Sequence, residues 1–243
     1  MSNNIRTQII KSLIAVVGFS TSAHAATTYV VTVTNGSQMP ISPAVIYAKA
    51  GGESAAKINS APSEGFVALC QTGNPALRLE ELENDSSVNN AFKTMGPVLP
   101  GQSAAFEVKV KSPQSQSIHL ETMYGKTKDV CGVASVNSHS LVALKQHATY
   151  EVIAKDNVLL TGAFLDPEVD SYLKDDVCAD QKDAVSCLRS LAQVNMDAKR
   201  IRNFSGYLPS VVSAIESKYG AKETQSLIVP TSGAIQVSVK LKH

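Results

Sequence analysis

Tryptophan is absent from the 243 residues, and Phe, Tyr and Trp together make up only 5%. That argues against an aromatic platform of the kind on which sugars stack. Charge of one sign is also lacking: 22 Lys and Arg stand against 21 Asp and Glu. Nothing in that balance attracts nucleic acid or an anionic lipid surface in bulk. Long hydrophobic runs are missing too. The apolar stretch Ser12 to Ala23 is too short to span a bilayer. Several signatures of chemistry are absent. There is no G-x-S-x-G elbow, no P-loop, no dinucleotide fingerprint and no H-E-x-x-H pair. No C-x-x-C or close Cys/His pair suggests zinc. A carboxylate pair of the glycosidase kind has no spacing rule, so a carboxylate-based enzyme site stays open as an alternative.

What is present begins with an export signal. Arg6 and Lys11 form a basic region, Ser12 to Ala23 an apolar one, and Ala23-His24-Ala25 a small-x-small cleavage site. Residues 1–25 therefore read as a signal peptide, and the processed chain as secreted or periplasmic. Removing Arg6 and Lys11 leaves 20 basic residues against 21 acidic, a net charge of −1. Cys70, Cys131, Cys178 and Cys187 all follow the cleavage site, and an even count in an exported chain suggests two disulfides. Three connectivities are possible. The expected one is Cys70–Cys131 with Cys178–Cys187, one bridge in each half.

Thr27 to Asn35 alternates, with Tyr29, Val31 and Val33 on one face, and ends at the turn Asn35-Gly36. Ile41 to Ala50 is a second strand. Residues 61–73 are a short apolar turn of chain, and Glu80 to Asn90 reads as a solvated acidic loop without EF-hand spacing. Phe106, Val108 and Val110 alternate with Glu107, Lys109 and Lys111 in a half-buried strand. Ile118 to Tyr124, Val130 to Val136 and Ala148 to Ala154 follow as strands. Short strands joined by Gly, Pro and Asn turns argue for a mainly β protein, an antiparallel β-sandwich over residues 27–165. His119 lies in a strand, and His139 and His147 in loop-like sequence. Residues 166–243 change character and read as a C-terminal helical extension with a terminal hairpin. Ala184, Cys187, Leu188, Leu191, Val194, Ala198 and Ile201 recur at helical spacing. Lys199, Arg200 and Arg202 close that helix as its basic end and are candidate partner contacts. A second helix is expected over 206–219, then a hairpin pairing Leu227 to Val229 with Ala234 to Leu241.

Two stretches carry a resemblance. A-P-S-E-G-F-V-A-L-C-Q-T-G (61–73) and G-P-V-L-P-G-Q-S-A-A-F-E-V (96–108) resemble, in wording and order, two marker segments of bacterial spondin-domain proteins. The resemblance covers roughly residues 27–165. It implies a sandwich related to C2 domains and a binding or adhesion role toward a surface or extracellular ligand, protein or glycan. In animal spondin domains, aspartates of two adjacent loops hold calcium. By that resemblance Asp129 (T-K-D-V) and Asp156 (A-K-D-N-V-L-L) fall at two ligand positions. Leu160 replaces the third carboxylate, so a solvent-exposed role for both aspartates is the alternative to calcium. A third reading is a structural envelope protein that docks a partner through its helical tail.

Overall fold

A computed structural model describes residues 26–52, 56–125, 127, 130–147, 149–161, 200–206, 213 and 229–243. Among them run β1 (Thr27–Asn35), β2 (Val45–Ala50), α1 (Glu64–Thr72), α2 (Ala76–Asn84), β3 (Val88–Lys93) and β4 (Ser103–Val110). They continue with β5 (Gln116–Met123), β6 (Val130–Val136), α3 (Ser138–Gln146), β7 (Val152–Lys155), β8 (Asn157–Leu160), β9 (Arg202–Asn203) and β10 (Ile235–Leu241). The chain is mainly β. A four-stranded sheet has the order β4-β1-β10-β7 and a six-stranded sheet the order β3-β2-β5-β6-β8-β9. Every pairing is antiparallel.

The two sheets share one apolar core, because alternating residues from each point inward. Tyr29, Val31 and Val33 of β1, Val108 and Val110 of β4, and Val237 and Val239 of β10 meet Ile46, Ile118, Leu120, Ala134 and Val136 of the larger sheet. Leu141 and Leu144 of α3 join the same cluster, and the Tyr29 hydroxyl donates to the Leu141 carbonyl at 2.9 Å. His139 thus sits on α3 and not in a loop, while His147 follows the helix as its C-cap, stacked on Tyr150.

Two elements differ from the sequence expectation on the outer side of the larger sheet. Residues 61–73 are a true helix: Ser63 caps α1 by accepting from Phe66 N, and Gly73 ends it at φ 73°. The acidic stretch is partly helical as well. In α2 the side chains Leu77, Arg78 and Leu82 are buried, while Glu80 and Glu83 keep the opposite side wet. These helices pack on the sheet, so β5 is buried along its whole length on both faces.

The C-terminal residues correct a domain boundary. β10 pairs with β1 from Tyr29↔Leu241 to Asn35↔Ile235, and with β7 over Gln236–Val239. Both its edges are therefore occupied by strands from 27–165. It belongs to that body and not to a separate extension, while residues 227 and 228 of the expected hairpin lie outside the described residues. Residues 200–206 also return to it. Ile201 is buried beside the disulfide, exchanging backbone bonds with Ser60 and Asn59, and Arg202 lies in β9 opposite Leu160. Arg200, Ile201 and Arg202 are thus not the end of a helix, because the larger sheet captures them as extended chain. Lys199, the Cys178–Cys187 pair and almost all of 206–219 lie outside the described residues.

Candidate functional site

The outer face of the larger sheet carries the densest polar chemistry among the described residues. Ser117, His119 and Glu121 alternate with Ile118 and Leu120 along β5, so they point away from the core and under the helices. Glu121 is fully buried, and Arg78 of α2 reaches down to it with a bidentate grip, Nε to Oε2 at 2.7 Å and Nη2 to Oε1 at 3.0 Å. The Tyr47 hydroxyl donates to the same Oε1 at 2.7 Å. Arg78 Nη1 donates to Glu81 Oε2 at 2.9 Å and to Ser63 Oγ at 3.0 Å. Glu81 accepts in turn from Gly65 N at 2.6 Å and Ser63 Oγ at 2.7 Å. Burial opposes charge on Arg78. The Glu121 carboxylate overrides that, with help from Tyr47 and Glu81, and holds the guanidinium pKa well above its ordinary value. Each of these two carboxylates accepts three hydrogen bonds, and the pair fastens the helices to the sheet.

His119 stacks on Tyr47 with ring centroids 5.1 Å apart. Its Nδ1 lies 2.7 Å from Ser135 Oγ, and its buried Nε2 has no partner among the described residues. Burial pushes its pKa down to about 4, against the pull of Glu121 and with the push of Lys49 and Arg78. The ring is neutral at neutral pH. Ser135 on β6 is exposed and opens into a cavity of about 460 Å³. Val133 and Ser135 of β6, Lys155 of β7, and Asn157 and Leu159 of β8 line it, with residues 56–58 as a wall. A serine on a histidine suggests a nucleophile. Here, however, Glu121 is committed to Arg78 and Tyr47 and does not orient the ring. An imidazole titrating near 4 is also a poor base at neutral pH. The arrangement offers a fixed hydroxyl for binding.

Of the residues singled out in the sequence, Cys70 of α1 and Cys131 of β6 are joined, with an S–S distance of 2.01 Å and Cα atoms 5.4 Å apart. The bridge ties the helical pair to the sheet within a cluster holding Phe66, Met123, Val133, Leu159 and Ile201. Asp129 lies outside the described residues. Asp156 is buried, which corrects the exposed role considered for it. Its Oδ2 accepts from Tyr124 Oη at 2.6 Å and its Oδ1 from Gly233 N at 2.8 Å and Ile235 N at 3.0 Å. Burial raises its pKa and these three donors pull it back, leaving it above the ordinary aspartate value. Three hydrogens aimed at one carboxylate are the reverse of a cation site, so Asp156 does not fit calcium. Its task is to hold the start of β10. Arg200 is exposed, and Arg202, in its short edge strand, is exposed as well.

Arg78, Glu121, Tyr47 and Ser135 escaped the sequence reading. One signal was there: Arg78 stands between Leu77 and Leu79, a cation in an apolar setting. Set against models of known protein families the chain matches none, and among curated proteins no match is found.

Proposed function

We propose that the chain is an exported, spondin-like binding module that engages a surface or extracellular ligand, protein or glycan, through loops between its sheets' strands. The observation that carries this reading is the loop from Thr94 to Gly101. Met95 is fully exposed there and Leu99 is 48% exposed. The loop is nevertheless braced: Thr94 Oγ1 accepts from Ala44 N and donates to Gly96 O, Val98 bridges Ile41, and Asn35 Nδ2 donates to Val98 O at 2.8 Å. Apolar side chains held in water on a fixed backbone bind with little ordering cost. The C2-like sandwich rests on the two marker stretches together with the paired sheets. Export to the periplasm or medium rests on residues 1–25, and the Cys70–Cys131 bridge fits an oxidising compartment. A calcium requirement in this reading falls to Asp129 with ligands other than Asp156.

A screen of the exported protein against glycans and matrix proteins, with and without calcium, tests the proposal. The expected result is a ligand whose affinity falls about tenfold or more in Met95→Asp or Leu99→Asp with melting temperature unchanged. A ligand indifferent to both substitutions, or none at all, refutes the loop reading.

A further inference from the structure

We propose that the cavity on the outer face of the larger sheet binds a small amphipathic monocarboxylate, a carboxylate carrying an alkyl or aryl tail. This goes beyond the loop reading and stands on different residues.

The lining divides by chemistry. Val133 and Leu159 supply an apolar floor, and Ile58, 40% exposed, an apolar wall. The polar rim is Lys57, Ser135, Asn157 and Lys155, and among the described residues no Asp or Glu lines the space. Lys155 has no carboxylate partner among the described residues, whereas Lys49, Lys240 and Lys242 each have one, in Asp85, Glu151 and Glu107. Its ammonium is therefore free to meet an anion.

Ser135 can be assigned a direction. A neutral imidazole carries one N–H. Placed on the buried, unpartnered Nε2, it would be an orphaned buried donor, the costliest arrangement. Placed on Nδ1, it donates to Ser135 Oγ across 2.7 Å, and only an acceptor is left without a partner. The second arrangement leaves the Ser135 hydroxyl hydrogen unspent and directed to the exposed side, where the cavity is. A hydroxyl donor and an ammonium thus share a rim over an apolar floor.

That donor set selects a ligand. Two carboxylate oxygens accept from the ammonium and the hydroxyl in charge-assisted bonds, and the tail covers Val133 and Leu159. Lys57 and Lys155 line the space without an arginine, so no bidentate fork awaits a phosphate, and a carboxylate suits the point charge of Lys155. The volume of about 460 Å³ is that of a small-molecule site.

Calorimetric titration of the full chain with octanoate, octanol and octylammonium tests the assignment. Octanoate should bind, octanol about tenfold or more weakly, and octylammonium not measurably. Lys155→Gln, at an exposed position, should weaken octanoate about tenfold and leave octanol unchanged. Ser135→Ala should weaken octanoate as well. Met95→Asp should leave octanoate binding intact, which separates this site from the loop. Equal binding of octanoate and octanol, octanoate binding unchanged by Lys155→Gln, or no octanoate binding at millimolar concentration overturns the proposal.

Discussion

At the scale of single residues, the buried Arg78–Glu121 pair decides the most. Its members are 3% and 0% exposed, so removing one strands the other without water. Glu121→Ala should destabilise by about 3–5 kcal/mol, whereas Arg78→Met with Glu121→Leu should recover most of that loss. Urea unfolding of the singles and the double gives the coupling. Near-additive losses would mean the pair is not coupled in the folded state. His119 supplies a pH dependence. The unfolded chain takes up its proton near 6.5, the folded chain only near 4. Between these values the unfolded state binds more protons, so stability is full above 6.5 and falls as pH drops toward 4. The shift corresponds to on the order of 3 kcal/mol. Asp85, held down to about 2 by Lys49 and Ser87, loses its smaller, solvent-screened contribution only below 3.8, a separate window. Unfolding at pH 7.5 and 4.5 should therefore show a clear loss that His119→Gln flattens; equal slopes in both proteins would exclude His119 as the source.

At the scale of elements, the α1–α2 pair depends on close approach. A Cβ on Gly65 would lie 2.7 Å from the Arg78 Cα and 2.5 Å from a Glu81 oxygen, so only glycine lets the helices meet. The bridge from Cys70 to Cys131, 61 residues apart, fixes this pair to the sheet. Chain-entropy arguments put its contribution at about 4 kcal/mol. Reduction, or replacement of both cysteines by serine, should lower the melting temperature, and an unchanged melt would show that packing alone holds α1. The strands were legible because one-sided burial writes a period of two into β1 and β4, where Tyr29, Val31 and Val33, or Val108 and Val110, alternate with wet positions. The helices were not. Their polar residues, Arg78, Glu81 and Ser63, face inward to one another, and an acidic run satisfied by a buried arginine looks in sequence like a solvated loop. The same masking hid His119 and Glu121, which occupy what reads as the solvent face of β5 until the helices cover it. The cavity was illegible for another reason: its lining comes from three strands and a loop that only the sheet order brings together.

At the scale of the whole molecule, the two ends of the described chain abut. Lys242 N donates to Thr28 O at 3.0 Å, and β10 lies between β1 and β7. The smaller sheet therefore joins Tyr29 to Leu241, a contact between widely separated parts of the sequence. Contacts of such separation slow folding, because the intervening chain must be gathered before they form. A circular permutant should remove this delay. With His243 linked to Thr27 by a short Gly/Ser segment and the chain opened at the exposed Gln114–Ser115, β10 and β1 become a local hairpin. The permutant should reach the same fold and refold several times faster, and an unchanged refolding rate would place the slow step elsewhere. In the natural order of the chain, the smaller sheet stays incomplete until its final strand has been made. Until then β1 and β7 each wait with one open edge, and pairing with β10 closes both at once.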